Sequence, residues 1–155
     1  MLGRLAKWLR VMGQDVIYGP HLSGYGLIRA ARREGRLILT RDRGLKNKQP
    51  PEFIIIASDD YREQLRQVME TCDLSPLIKP FTRCLECNAL LQPQAKESIK
   101  DSVPPYVYST QDNFSWCPEC RRIYWAATHH AQMAEEIRKL GLGQPRIWSS
   151  RVLDK

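Results

Sequence analysis

The sequence lacks long apolar runs and a recognisable secretion signal. No hydrophobic stretch approaches the roughly 20 residues that span a bilayer, although hydrophobic residues make up an ordinary 43% of the chain. No signal peptide precedes the first helix pattern, which argues against the oxidising compartments where disulfides form. These absences predict a soluble, cytoplasmic protein with no membrane partner.

Acidic residues are outnumbered by basic residues. The chain has 17 Asp and Glu against 24 Lys and Arg, a formal net charge of +7. Such an excess favours a polyanionic partner, above all a nucleic acid. Many basic proteins bind no nucleic acid, so the charge alone leaves the partner open.

The five cysteines are unevenly placed. Four form two Cys-x-x-Cys motifs, Cys84 with Cys87 and Cys117 with Cys120, and this doubled spacing is typical of a structural zinc site. Four thiolates complete a tetrahedral shell, so the zinc would stabilise the fold and leave no open position for catalysis. Two disulfides or four ordinary thiols are the alternatives. Cys72 is expected to be a small packed thiol.

A chain of 155 residues has room for one domain of ordinary size, or for a smaller domain and a metal-stapled module. The cysteines favour the second arrangement. We predict an α/β domain over residues 1–79, a zinc-ribbon module with a helix over residues 80–140, and a tail over residues 141–155.

The first part of the chain reads as α/β. Residues 2–12 have the apolar spacing of an amphipathic helix that ends at Gly13, and residues 25–33 predict a second helix that ends at Gly35. Between them, residues 15–18 are expected to form a short strand. The basic residues of the first helix could contact phosphate or form a solvated face; they are Arg4, Lys7 and Arg10.

Two aliphatic runs predict buried parallel strands. Residues 37–39 and 53–57 are each followed by polar residues, at the carboxyl end of a strand where α/β sheets bind ligands. Asp42 is the best candidate for a catalytic carboxylate, with Arg41 and Arg43 placed to hold phosphates. Capping of a short helix by Asp42 explains the pattern equally well.

Asp59 and Asp60 follow the second predicted strand. Carboxylates from neighbouring strand ends can hold Mg²⁺ or Mn²⁺ near a scissile phosphate. Capping of a helix over residues 61–71 is the slightly preferred interpretation for both.

The second part of the chain is predicted from shorter patterns. Residues 90–101 and 103–109 are expected to form β-ribbon and loop, and residues 123–125 a strand. Residues 128–140 predict a last helix. His129 and His130 are superfluous as zinc ligands beside four cysteines. One of them could contact phosphate or transfer a proton, but surface residues near a helix start are the preferred interpretation.

Several separate motifs, in order, resemble the Mut-seven C-terminal RNase domain family. They are residues 1–10 with Gly13 and Asp15, residues 35–45, residues 83–88, Cys117-Pro118 with Cys120, and Tyr124-Trp125 with His129. The resemblance runs to about Leu140. It implies a PIN-like nuclease domain, with a parallel sheet flanked by helices, followed by a zinc ribbon. It also implies cleavage of RNA by water that aspartates and divalent ions activate.

The family's site residues carry over only in part. Asp42 matches the acidic position of the Thr-Arg-Asp motif, and Asp15 matches a Gly-x-Asp position that is structural or metal-binding. The family has a strand with an aspartate just before the Met-Leu-Gly segment, where this sequence begins, and an acidic residue where residues 23–26 stand. We therefore expect a domain that lacks its usual first strand and two acidic positions.

These patterns support two main functions. The first is a PIN-like metal-dependent ribonuclease with Mg²⁺ or Mn²⁺ held by Asp42 and Asp59, and phosphates held by Arg4, Arg10, Arg41 and Arg43. The alternative is a catalytically degenerate RNA-binding zinc-ribbon protein that uses the first helix and the aromatics Tyr124 and Trp125, unless both rings pack in the ribbon core. A protein-interaction ribbon is a third interpretation.

Overall fold

The computed structural model describes residues 2–74, 77–126 and 128–141, with the backbone alone at residues 128 and 129. Two compact units are present. The first contains residues up to Leu9 and residues 16–74, and the second contains residues 10–15 and the described residues from 77 onward. The predicted boundaries at residues 79 and 140 stay a prediction. No described helix is long and apolar enough to cross a membrane.

The first unit combines helices with a two-stranded parallel sheet. Its helices are α1 (Gly3–Val11, whose last two residues fall in the second unit), α2 (Gly24–Glu34) and α3 (Tyr61–Cys72), and its strands are β1 (Ile38–Thr40) and β2 (Phe53–Ile55). The strands pair in the register Ile38 with Phe53 to Thr40 with Ile55. Both predicted strands and the parallel pairing are thus confirmed.

Amphipathic spacing on α2 explains one buried cluster of this unit. Ile28 and Ala31, one turn apart on α2, pack with Ile38 of β1 and with Leu45 from a 3-10 helix, Arg43–Lys48. The C-cap of α2 is Gly35, with φ 61°, a left-handed conformation that glycine adopts without strain.

The second unit contains a three-stranded antiparallel sheet. Its strands are β3 (Gln92–Gln94), β4 (Phe114–Trp116) and β5 (Ile123–Trp125), in the order β3-β4-β5. Ile99, Val103 and Phe114 form a buried cluster in it, against which Trp125 packs. A helix, α5 (Thr128–Lys139), follows β5 as predicted. Apart from Gly141, the predicted tail lies outside the described residues.

Residues 10–15 join this second unit through backbone hydrogen bonds. The amide of Phe81 donates to the Val11 carbonyl at 2.8 Å, and that of Lys79 donates to the Met12 carbonyl at 3.0 Å. Gly13 is required where residues 10–15 approach Lys79, since a Cβ on residue 13 would lie 2.2 Å from the Lys79 carbonyl oxygen. Its φ of 86° also favours glycine.

Two predictions of secondary structure are wrong. Residues 15–18 form no strand and lie outside any β-ladder. Asp15 accepts a side-chain hydrogen bond from Asn88. Residues 103–109 do not continue the ribbon, because Pro105 begins a helix, α4 (Pro105–Thr110). Proline suits the first helical position, where its missing N–H costs no hydrogen bond.

Candidate functional site

The four predicted cysteines converge at one point. Their Sγ atoms all lie within 4.8 Å of one another, and they are the single group of three or more His, Cys, Asp or Glu ligand atoms this close within the described part of the chain. The shortest separations join the two motifs, 3.5 Å from Cys84 to Cys120 and 3.3 Å from Cys87 to Cys117. A disulfide needs about 2.05 Å, so all four are free thiols.

Each Cys-x-x-Cys motif forms a knuckle with the same hydrogen bonds. In the first, the Cys84 amide donates to the Ala89 carbonyl and the Asn88 amide donates to the Cys84 carbonyl. In the second, the Cys117 amide donates to the Arg122 carbonyl and the Arg121 amide donates to the Cys117 carbonyl. Two equivalent turns therefore present their sulfurs to a common centre.

The cluster has the geometry that zinc requires. Zn–S bonds of about 2.3 Å in a tetrahedron separate the sulfurs by about 3.8 Å. The observed separations of 3.3 Å and 3.5 Å, with all four sulfurs within 4.8 Å, fit one such ion. Four cysteine ligands leave no open coordination position, so an ion here would hold the two knuckles together and would not react with substrate.

Tyr124 supports the cluster from β5. Its hydroxyl lies 3.0 Å from the Cys84 Sγ and accepts a hydrogen bond from the Leu85 amide at 3.2 Å. Although burial opposes the change, the Cys87 amide, this hydroxyl and the Glu86 amide lower the pKa of Cys84 to about 6. The Cys84 thiol is thereby poised to bind a metal as thiolate.

Arg10 has a role that the sequence pattern did not predict. Its side chain is 7% exposed, and Nη1 donates to the carbonyls of Leu85 and Glu86 at 2.9 Å and 3.0 Å. These carbonyls belong to the first knuckle. Such a placement suits a structural contact better than a phosphate contact at the surface.

Asp15 also contacts the first knuckle. Its Oδ1 accepts a hydrogen bond from the Asn88 side chain at 2.6 Å and lies 4.0 Å from the Arg83 guanidinium. Of the two roles left open for the Gly-x-Asp position, this contact fits the structural one.

The parallel sheet places its own polar residues at one edge. β1 ends at Thr40 and β2 at Ile55, which are partners in the register, so the residues that follow leave the same edge of the sheet. We call this the aspartate edge, after Asp42 and Asp59.

Asp42 caps the 3-10 helix that follows β1. Its Oδ1 accepts a hydrogen bond from the Gly44 amide at 2.8 Å, and its own amide donates to Thr40 Oγ1 at 3.0 Å. The residue is exposed. The capping interpretation is therefore observed, and the cap engages only one of the two carboxylate oxygens.

The two aspartates after β2 differ in role. Asp60 caps α3 by accepting hydrogen bonds from the amides of Arg62 and Glu63, as the preferred interpretation predicted. Asp59 does not cap; it forms an ion pair with Arg41 at the aspartate edge. The first turn of α2 carries no acidic residue, in agreement with the departure seen in the sequence.

The remaining candidates for phosphate binding differ in their surroundings. Arg43 is exposed and has no hydrogen-bonding or ionic partner among the described residues. Arg4 is exposed too, with its guanidinium 3.8 Å from the centre of the Tyr61 ring. The ring of His130 stacks on Phe81 at 4.4 Å, whereas the side chain of His129 lies outside the described residues.

Sequence reasoning missed the supports of the cluster. Arg10 and Tyr124 act on a knuckle far along the chain, so no local spacing marks them. The signal that could have found Asn88 is its place directly after a Cys-x-x-Cys motif, where the turn needs a residue that tolerates positive φ.

Comparison with known proteins gives one match. A family model described as Mut7-C RNAse domain covers residues 1–137. No curated protein and no solved structure matches the chain.

Proposed function

Because the chain belongs to the Mut7-C RNAse domain family, we propose that it is a ribonuclease that hydrolyses RNA phosphodiesters at the aspartate edge, with Asp42 as its principal acidic residue. Membership confirms the resemblance predicted from the sequence. We also propose a PIN-like first domain, a Cys₄ zinc ribbon after residue 80, Mg²⁺ or Mn²⁺ as the second metal, and a cytoplasmic location.

The parallel pairing of β1 and β2 is the observation that carries the proposal. It brings the carboxyl ends of both strands together, so Asp42 and Asp59 lie at one edge of the sheet. In the sequence the two residues are separated by the 3-10 helix and by β2. Magnesium is commonly bound by only one or two carboxylates, with water and substrate phosphate oxygens as its other ligands. The donor set at this edge therefore fits Mg²⁺ or Mn²⁺ together with an RNA phosphate.

In this proposal each side chain at the edge has a distinct task. The divalent ion would neutralise phosphate charge and activate a water molecule. Asp42 would hold that ion through the oxygen that does not cap the helix. Arg43, which has no partner among the described residues, would bind the phosphate. Arg41 would hold Asp59 in place through their ion pair.

Cleavage of labelled RNA in Mn²⁺ by the full chain tests the proposal. Asp42→Asn should reduce the rate by about 100-fold or more, while asparagine still caps the 3-10 helix and preserves the fold. Asp101→Asn, which removes an exposed carboxylate of the second unit, is the matched control and should cleave normally. Cleavage that survives Asp42→Asn would remove Asp42 from the site.

A second candidate is RNA binding without hydrolysis. It is favoured by the absence, within the described part of the chain, of three acidic side chains grouped closely enough to share an ion. The predicted binding aromatics do not support it, because Trp125 packs in the core of the second unit and the Tyr124 hydroxyl contacts Cys84. Salt-sensitive RNA binding by the wild type without cleavage would favour this candidate.

A further inference from the structure

An open groove lies in the first unit between α2 and the 3-10 helix Arg43–Lys48. Its volume is about 590 Å³, within the range of roughly 300–1,000 Å³ common for binding sites. Ile28, which is 2% exposed, contributes to its lining from the core. We call it the α2 groove; its polar lining includes Arg29, Arg32 and Lys48.

The α2 groove is strongly cationic. Three basic side chains line it, and no carboxylate is among its lining residues. Arg32 donates to the Gln49 carbonyl, which fixes the position of its guanidinium. Arg29 is exposed and has no hydrogen-bonding or ionic partner in the parts of the chain that are described. An anion entering the groove would therefore meet charge that nothing in its lining neutralises.

An exposed aromatic ring stands in the same groove. Tyr25 is 66% exposed, and the Lys48 ammonium lies 5.3 Å from the centre of its ring. Between residues 2 and 141, as far as they are described, no other ring stacks on Tyr25. An aromatic face beside unneutralised cations is the combination that binds a base together with its phosphate.

We propose that the α2 groove binds a segment of single-stranded RNA, with one base stacked on Tyr25 and the flanking phosphates on Arg29 and Lys48. An acidic peptide would use the cations but would leave the exposed ring without a partner, so the ring favours RNA. This inference rests on the proposed function, since it takes RNA as the ligand.

The position of the groove relates it to the aspartate edge. The 3-10 helix that Asp42 caps ends at Lys48, and its rise of about 2 Å per residue separates its ends by about 10 Å. That is the length of about three stacked nucleotides. A strand held in the groove would thus reach Asp42 within a few nucleotides.

Fluorescence anisotropy of a short labelled oligouridine, with the full chain and without Mg²⁺ or Mn²⁺, tests the inference independently of cleavage. Tyr25→Leu should weaken binding about fivefold or more. The double variant Arg29→Gln, Lys48→Gln should weaken binding as well. Its plot of log affinity against log salt concentration should be less steep, by about 0.7 for each phosphate that the variant no longer binds. Arg33→Gln is the matched control on α2, because Arg33 pairs with Glu34 and does not line the groove.

The outcomes separate the inference from the proposed function. Weaker binding in the groove variants, with no cleavage by the wild type, would support the groove and contradict the ribonuclease. Unchanged binding in all groove variants, with normal cleavage by the wild type, would overturn the groove alone. The groove proposal would also be overturned if polyglutamate competed as effectively as RNA at equal charge. It would be overturned as well if the wild type bound no RNA.

Discussion

Asn88 and Arg121 occupy equivalent positions in the two knuckles, each directly after the second cysteine and each in the left-handed conformation, with φ of 74° and 62°. Their amides make the same hydrogen bond back to the first cysteine of the motif. The side chains differ, because Asn88 donates to Asp15 and Arg121 is exposed.

This difference predicts opposite effects of glycine at the two positions. Arg121→Gly should raise the free energy of unfolding by about 1 kcal/mol, because it removes the strain of a left-handed non-glycine residue. Asn88→Gly should lower it by about 1 kcal/mol, because the hydrogen bond to Asp15 is removed. Chemical denaturation of the zinc-loaded protein measures both, and a loss of stability in Arg121→Gly would contradict the interpretation.

Substitution of Arg10 separates a structural role from phosphate binding. Arg10→Met should lower the free energy of unfolding by about 1–3 kcal/mol, because the carbonyls of Leu85 and Glu86 lose their donor. Lys7→Met, which removes an exposed charge from the same helix, should change stability by less than about 0.5 kcal/mol. Normal stability with weakened RNA binding in Arg10→Met would restore the phosphate contact predicted from the sequence.

The cysteine cluster predicts one zinc ion per chain. Elemental analysis of protein purified without chelators should find it, and Cys117→Ser should lose most of it, because Cys117 is fully buried in the cluster. Cys72→Ser should retain the metal, since Cys72 lies outside the cluster. Chelation should unfold the second unit, as measured by circular dichroism. Zinc-free wild type with four oxidised cysteines would support the disulfide alternative instead.

Zinc affinity should rise with pH. The Cys87 sulfur lies against the other sulfurs, where loss of hydration and contacts with neighbouring thiols raise its pKa to about 12. Although the Arg122 amide opposes the change, burial and the neighbouring sulfurs also raise the pKa of Cys120. At neutral pH zinc must displace the protons of both thiols, so the apparent affinity should rise by about 100-fold or more per pH unit. The rise should steepen below pH 6, where Cys84 also becomes protonated. Competition with a zinc-sensitive dye between pH 5.5 and 8 measures the slope, and an affinity independent of pH would contradict the prediction.

The parts of the fold that sequence predicts best have strong local patterns. The helical spacing around Ile28 and the aliphatic run of β1 are examples, and the doubled Cys-x-x-Cys spacing marks the metal centre. The false strand at residues 15–18 also had a local pattern, but these residues belong to no strand in the described structure. Local pattern alone does not reveal that Asp15 contacts Asn88.

The candidate site shows the same limit. Lys7 and Arg10 look alike in the sequence, since both are basic residues of one amphipathic helix. Only the fold distinguishes them: Lys7 is exposed and Arg10 is buried against the carbonyls of the first knuckle. Asp42 was ambiguous for a different reason, because a residue that follows a strand and precedes a helix can cap the helix and still face a ligand.

Residues 10–15 impose an order on the assembly of the protein during its synthesis. Among their partners, Arg83, Leu85, Glu86 and Asn88 lie 70 to 76 positions further along the chain. A nascent chain therefore leaves this early segment without its contacts until the first cysteine motif has emerged from the ribosome, and closing so long a loop slows folding. For the same reason, the part of the second unit that begins at residue 77 would, if transplanted by itself, lack the Arg10 side chain that holds its first knuckle.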